Sequence, residues 1–200
     1  MSKPLVFATL GPEGTNHAYV ARRYLACHRL NARLELFADF DAGLEAMVDG
    51  RVDHLVQCAA HPSVARTVAR HFRQVFVIDA FVAESQPMGL LVRPGVQLPR
   101  TLALQPATRA YVDTSGWAVV TEYPTIIEVG HALLDGLADA GITLLALAQR
   151  HPQRLRVDQN LGAMTDGWLV YGKTPVPPGK LHCWRDGPAS RIYQAAARLP

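Results

Sequence analysis

The stretch Leu10-Gly11-Pro12-Glu13-Gly14-Thr15 stands directly between a short apolar run, Leu5 to Leu10, and a helix-period segment that opens near Thr15. This strand-turn-helix junction constrains the fold more than any other part of the chain. Glycines there let the backbone approach a ligand, and a helix start leaves N–H groups without partners, so the junction suits a carboxylate. On these residues alone it is either an anion site or a plain turn. Thr15 either caps the helix or donates its hydroxyl to a ligand.

The same rhythm continues. A strand at Leu34 to Ala38 leads to Phe40, Leu44, Met47 and Val48, one apolar face of a helix that Gly50 ends. His54 to Ala60 reads as a buried strand, Ser63 to Phe72 as a helix with Pro62 in its first turn, and Val75 to Val82 as a further strand. Met88 to Arg93 is a strand leaving this unit, because Pro94, Gly95 and Pro99 interrupt before a second cycle. That cycle runs through a strand at Thr101 to Leu104, a helix around Ala107 to Val112, a strand at Ala118 to Thr121 and an amphipathic helix from Thr125. Ile142 to Ala148 and Leu155 to Val157 follow, and Trp168 to Lys173 can return to the first unit. An α/β fold of two lobes is expected, with residues 1–92 plus 165–200 in one lobe and 93–164 in the other. Ligands in such an architecture bind in the cleft between lobes. The same rhythm also suits one continuous doubly wound sheet. The tail ends in a short helix from Arg191, with Trp184 anchoring it to the first lobe or to a second subunit of a homodimer.

At 200 residues the chain can bury roughly 70% of its unfolded surface, enough for two small lobes. Its 49% hydrophobic and 18% charged residues exclude disordered and fibrous classes. A formal charge of +3 modestly favours an anionic small molecule, and scattered Lys and Arg give no nucleic-acid footprint. Cys27, Cys58 and Cys183 lack paired spacing, which points to reduced thiols. No apolar run approaches a membrane span, so a cytoplasmic protein that does not engage membranes is expected. No serine elbow, phosphate loop or His-Glu-x-x-His stretch is present, and neither a metal nor a cofactor is expected.

Thr125, after Pro124, begins its helix as Thr15 does, and two facing helix starts would suit a dicarboxylate. Ser63, after Pro62, is a third position of this kind. His17, in the first turn of the first helix, and His61, beyond the buried strand, are candidates for proton exchange near neutral pH.

Leu10-Gly11-Pro12-Glu13-Gly14-Thr15 closely resembles the opening turn of the prephenate dehydratase family. The resemblance extends over residues 5 to 173: Gly50 to Val56, Gln105-Pro106 where the family has His-Pro, and the helix from Thr125 to Asp139. It implies a type II periplasmic-binding-protein-like fold with a cleft between lobes. Asp166-Gly167-Trp168 stands where the family carries Thr-Arg-Phe, and Thr165 lies one position early. Ala60-His61-Pro62 replaces the family's Glu-Asn-Ser. These departures, with Pro87 to Pro94 and Trp168 to Lys173, resemble the non-aromatising prephenate decarboxylases of bacilysin-type antibiotic pathways. The resemblance implies a cytoplasmic lyase that removes CO2 from prephenate and leaves a dihydro-4-hydroxyphenylpyruvate-type product. A dehydratase giving phenylpyruvate and a non-catalytic small-carboxylate-binding protein are the alternatives. Taken with the positions read above, the expected dicarboxylate-binding residues are Pro12, Gly14, Thr15, Ser63, Gln105 and Thr125, with His17, His61 or Thr165 handling the proton.

Overall fold

A computed structural model describes residues 3–179, 181–184 and 187–196. Two five-stranded mixed sheets form the two lobes of the expected α/β fold. In the first, β1 (Leu5–Leu10) lies between β2 (Ala32–Phe37) and β3 (His54–Cys58), all parallel. β1 is buried on both faces, as a central parallel strand must be, and this explains its unbroken apolar run. Helix α1 (Asn16–Cys27) follows β1 and buries Ala18, Val20, Ala21 and Leu25 against the sheet. Helix α2 (Phe40–Val48) is capped by Asp39, whose side chain accepts from the Ala42 N–H at 2.8 Å. After β3 come α3 (Val64–Arg70) and the edge strand β4 (Phe76–Glu84), whose alternating exposure marks a half-buried edge.

The chain then enters the second sheet through β5 (Met88–Val92), which pairs antiparallel with β8 (Ala140–Leu144) and β9 (Arg156–Gly162). The crossing therefore lies between β4 and β5, ahead of Met88. The Pro94 and Gly95 loop, expected to mark it, is instead a connection within the second lobe. Parallel strands β6 (Thr101–Leu104) and β7 (Val119–Glu122) complete this sheet. The segment expected to be a helix around Ala107 to Val112 is a 3-10 helix, Pro106–Tyr111, because Pro106 and the Gln105 cap tighten a piece too short for a full α-helix. Helix α4 (Ile126–Leu134) starts at Thr125. The apolar run Ile142 to Ala148 divides at Leu144 into the end of β8 and the start of α5 (Leu145–Arg150).

β10 (Thr165–Gly172) returns to the first sheet and pairs antiparallel with β3 and with β4. The two crossings are tied together: Ser85 N–H donates to the Met164 carbonyl at 2.9 Å, and Met164 N–H donates to Ser85 Oγ at 3.0 Å. Each lobe keeps its own core, around Leu44, Met47 and Leu55 on one face of the first sheet and around Leu91, Val129 and Leu133 in the second lobe.

In the tail, α6 (Pro188–Ala196) starts earlier than Arg191. Trp184 lines a surface hollow with Tyr24 and Phe81 but keeps 61% of its surface exposed, so it is not a buried anchor. The ends of the expected first lobe, residues 1–2 and 197–200, lie outside the described residues, as do positions 180, 185 and 186. The three cysteines are free thiols, and no helix among the described residues is long and apolar enough to cross a membrane.

Because Ser85 is buried, Ser85→Ala leaves the Met164 N–H without a partner inside the protein. A loss of about 1–3 kcal/mol in urea unfolding is expected; an unchanged midpoint would mean that the pairing of the crossings adds no stability.

Candidate functional site

A cavity of about 110 Å³ opens between the lobes where α1, β3 and β10 of the first meet the 3-10 helix and the start of α4 of the second. Thr15, His17, His61, Gln105 and Thr125 line it. Pro12, Gly14, Ser63 and Thr165, the other residues the sequence nominates, do not. Asn16, Cys58, Met88, Tyr111, Asp166 and Trp168 line it as well.

The first lobe contributes the start of α1. Thr15 Oγ1 donates to the Leu10 carbonyl at 3.1 Å and accepts from the Ala18 N–H at 3.2 Å. The hydroxyl is thus a clamp between the end of β1 and the helix, and its only hydrogen is already used. Thr15, Asn16 and His17 of the helix start line the cavity, and the N–H groups of Asn16 and His17 precede the first intrahelical bond. The Asn16 side chain fixes this end to the crossing, accepting from the Gln86 N–H at 3.0 Å, while Gln86 Nε2 donates to the Gly14 carbonyl at 2.9 Å. Gly14 holds φ +88°, a left-handed conformation that accounts for a glycine there. Pro12, on the exposed side of this turn, acts on the site only through the backbone.

The start of α4 is different. Thr125 and Glu128 form a capping box: Thr125 Oγ1 accepts from the Glu128 N–H, and the Glu128 carboxylate accepts from both the Thr125 N–H at 3.0 Å and its hydroxyl at 3.1 Å. The protein's own carboxylate therefore already occupies this helix start. Two helix starts do not offer two equal anion sites, as the symmetry of the sequence suggested, because Glu128 offsets the positive end of one of them.

His17 and His61 meet in the first lobe with ring centroids 5.6 Å apart, and Phe40 packs edge-on to both. Cys58 N–H donates to His17 Nε2 at 3.3 Å, which leaves the ring hydrogen on Nδ1. Burial, and next to it the charge of His61, push the His17 pKa down to about 3. Ser63 N–H donates to His61 Nδ1 at 3.2 Å, so Ser63 Oγ, 2.8 Å away, donates to the same nitrogen and Nε2 carries the hydrogen. Gln57 Nε2 in turn donates to Ser63 Oγ at 2.9 Å. Ser63 thus stands behind His61 and orients it. The His61 pKa is lowered as well, by burial and then by Arg66. Both imidazoles are neutral hydrogen-bonding groups near pH 7 rather than the acids that the sequence nominates.

β10 brings in the residue that sequence reasoning passed over. Side chains alternate along a strand, so Asp166 shares a face with buried Trp168, while Thr165 lies on the other face, exposed. A one-residue offset puts a side chain on the opposite face, and Thr165 cannot replace a cleft hydroxyl from there. Burial raises the Asp166 pKa. The signal was present in the sequence as period-2 alternation from Trp168. Asp166 was read there only as a departure from a motif.

No Lys or Arg is among the described residues lining the cavity. Among the described residues no group of three His, Cys, Asp or Glu side chains is placed to hold a metal ion.

No protein-family model matches the chain. Its sequence is 28% identical over 101 residues to prephenate decarboxylase of Bacillus subtilis, a match covering 48% of this chain and 48% of that protein. The fold matches prephenate dehydratase from Arthrobacter aurescens, solved in complex with L-Phe, with a TM-score of 0.62 and 17% identity over 88% of this chain and 63% of that one. It also matches the GluR0 ligand-binding core in complex with L-glutamate, with a TM-score of 0.53 and 14% identity over 88% of this chain and 87% of that one.

The His17 shift couples the site to stability. A histidine held neutral when folded but free to protonate when unfolded, near 6.5, stabilises fully above that pH and loses its contribution as pH falls from 6.5 toward 3. His17→Gln, which keeps an acceptor for the Cys58 N–H, is expected to flatten the fall in melting temperature between pH 6.5 and 4. A slope equal to the wild type's would show that His17 protonates freely in the folded protein. The fold is two-lobed and periplasmic-binding-protein-like, and the chain is a homologue of prephenate decarboxylase over half its length, sharing its architecture with prephenate dehydratase.

Proposed function

We propose that the protein is a lyase that decarboxylates prephenate, or a close cyclohexadiene dicarboxylate, without aromatising the ring. The observation that carries this is the charge pattern of the cavity: one open helix start, at Asn16 and His17, and no lining cation among the described residues. One substrate carboxylate accepts hydrogen bonds from that helix start. The other has no cation to pair with and lies among Met88, Ile126 and Trp168. An unpaired, desolvated carboxylate is destabilised, and loss of CO2 relieves that cost by spreading the charge into the ring diene.

The dehydratase alternative needs a hydroxyl donor for the departing ring hydroxyl. The three threonine hydroxyls lining the cavity, of Thr15, Thr108 and Thr125, donate to the Leu10 carbonyl, the Gln105 carbonyl and the Glu128 carboxylate. Tyr111 is a weaker acid than usual, because burial and then the charge of Asp166 raise its pKa. The partial sequence match to a prephenate decarboxylase supports the same choice. No metal or cofactor enters the proposal, and the partner it names is the small dicarboxylate alone.

Incubation with prephenate is expected to release CO2 and give a non-aromatic keto acid that keeps the ring hydroxyl, identified by chromatography and mass. Phenylpyruvate as the main product would contradict the proposal, and tight binding without turnover would favour a binding protein. Thr15→Ala is expected to weaken prephenate binding several-fold in calorimetry by releasing the helix start from Leu10, and Thr15→Ser to preserve it. Equal affinities for both variants would remove α1 from the site.

A further inference from the structure

Decarboxylation replaces a C–CO2 bond with a C–H bond, so the site must supply a proton. The two imidazoles nominated for that task are held neutral, and the lining threonine hydroxyls are bonded elsewhere. Asp166 is the one carboxyl group lining the cavity among the described residues. It lies in β10 opposite Ala83 of β4, on the face of Trp168, and its side chain has no hydrogen-bond or ion-pair partner among the described residues. The groups facing it are Tyr111 from the 3-10 helix and Cys58 at the end of β3, with His17 and His61 in the same cavity. None of these is a cation at neutral pH that would hold Asp166 ionised.

We propose that Asp166 is the catalytic acid of this reaction, delivering its carboxyl proton to a ring carbon as the C–CO2 bond breaks. The inference rests on the decarboxylase reading above. The electron pair of the breaking bond moves through the ring diene, the far carbon takes the proton, CO2 leaves, and Asp166 is left as a carboxylate that water reprotonates. Charge balances, since one carboxylate is lost and another formed. Burial raises the pKa of Asp166, which keeps more of it protonated toward neutral pH than an ordinary aspartate. The absence of a lining cation among the described residues then serves both ends of the reaction: it leaves the departing carboxylate unpaired and leaves the upward shift of Asp166 unopposed.

The test compares wild type with Asp166→Asn and Asp166→Glu, using prephenate in D2O. The wild type is expected to release CO2 and to place one solvent-derived deuterium on the ring, with turnover falling as pH rises through the Asp166 pKa. Asp166→Asn is expected to bind prephenate within a few-fold of wild type and to lose about 10²–10⁴-fold in turnover. Asp166→Glu should recover part of that loss. Wild-type turnover in Asp166→Asn would overturn the assignment and leave the decarboxylase reading standing. Failure of the wild type to release CO2, or formation of phenylpyruvate, would overturn that reading and the assignment with it. Should Asp166→Asn not fold, the wild-type profile decides: a rate that does not fall on the alkaline side overturns the assignment.

Discussion

The antiparallel pairing of β10 between β3 and β4 is the constraint on which the first lobe depends. β3 and β4 do not pair with each other: β10 lies between them, and β4 is joined to the sheet through β10. The first lobe is therefore complete only after the chain has built the second and come back. β5 has the mirrored role, inserted antiparallel between β8 and β9 directly after the outward crossing. Each lobe is three parallel strands extended by the antiparallel strand that follows a crossing and by one edge strand beyond it, β4 or β9. Ser85 and Met164 pair where the two crossings meet. This geometry sets Asp166 and Trp168, two and four residues beyond Met164, in the lining of the cavity.

A second link turns this frame into a site. The Thr15 hydroxyl joins the last carbonyl of β1 to the first turn of α1, and Asn16 joins that turn to Gln86 in the crossing. Side-chain hydrogen bonds thus hold the helix start toward the cavity while its backbone N–H groups stay available. Across the cleft, Glu128 covers the other helix start. The result is an asymmetric cavity, with one helix start covered by Glu128, the other uncovered, and the Asp166 carboxyl in the lining. Under the proposed function the uncovered start takes the carboxylate that is retained.

Much of the fold was legible in the sequence because its signals are local. Buried parallel strands read as apolar runs at β1 and β8, and the Thr15 and Thr125 caps lie where their helices begin. What local signals cannot carry is partnership between distant strands, so Met88–Val92 was assigned to the lobe it leaves rather than the one it joins. In the site, residue types were visible but hydrogen-bond direction was not. Thr15, Thr125 and Ser63 were legible as polar groups near helix starts, yet each hydroxyl is committed to Leu10, Glu128 or His61. The histidines were legible as titratable; their neutrality follows from burial that only packing defines. Asp166 was missed because its importance depends on which face of β10 points inward.

In the proposed function one carboxylate of the substrate rests on the start of α1. Backbone amide NMR of the isotopically labelled protein titrated with prephenate tests it most directly. The account predicts that the Asn16 and His17 amide protons move downfield together and saturably, while the Ile126 and Ile127 amides at the start of α4 move little. Saturable binding that leaves Asn16 and His17 unmoved and shifts the α4 amides instead would contradict it.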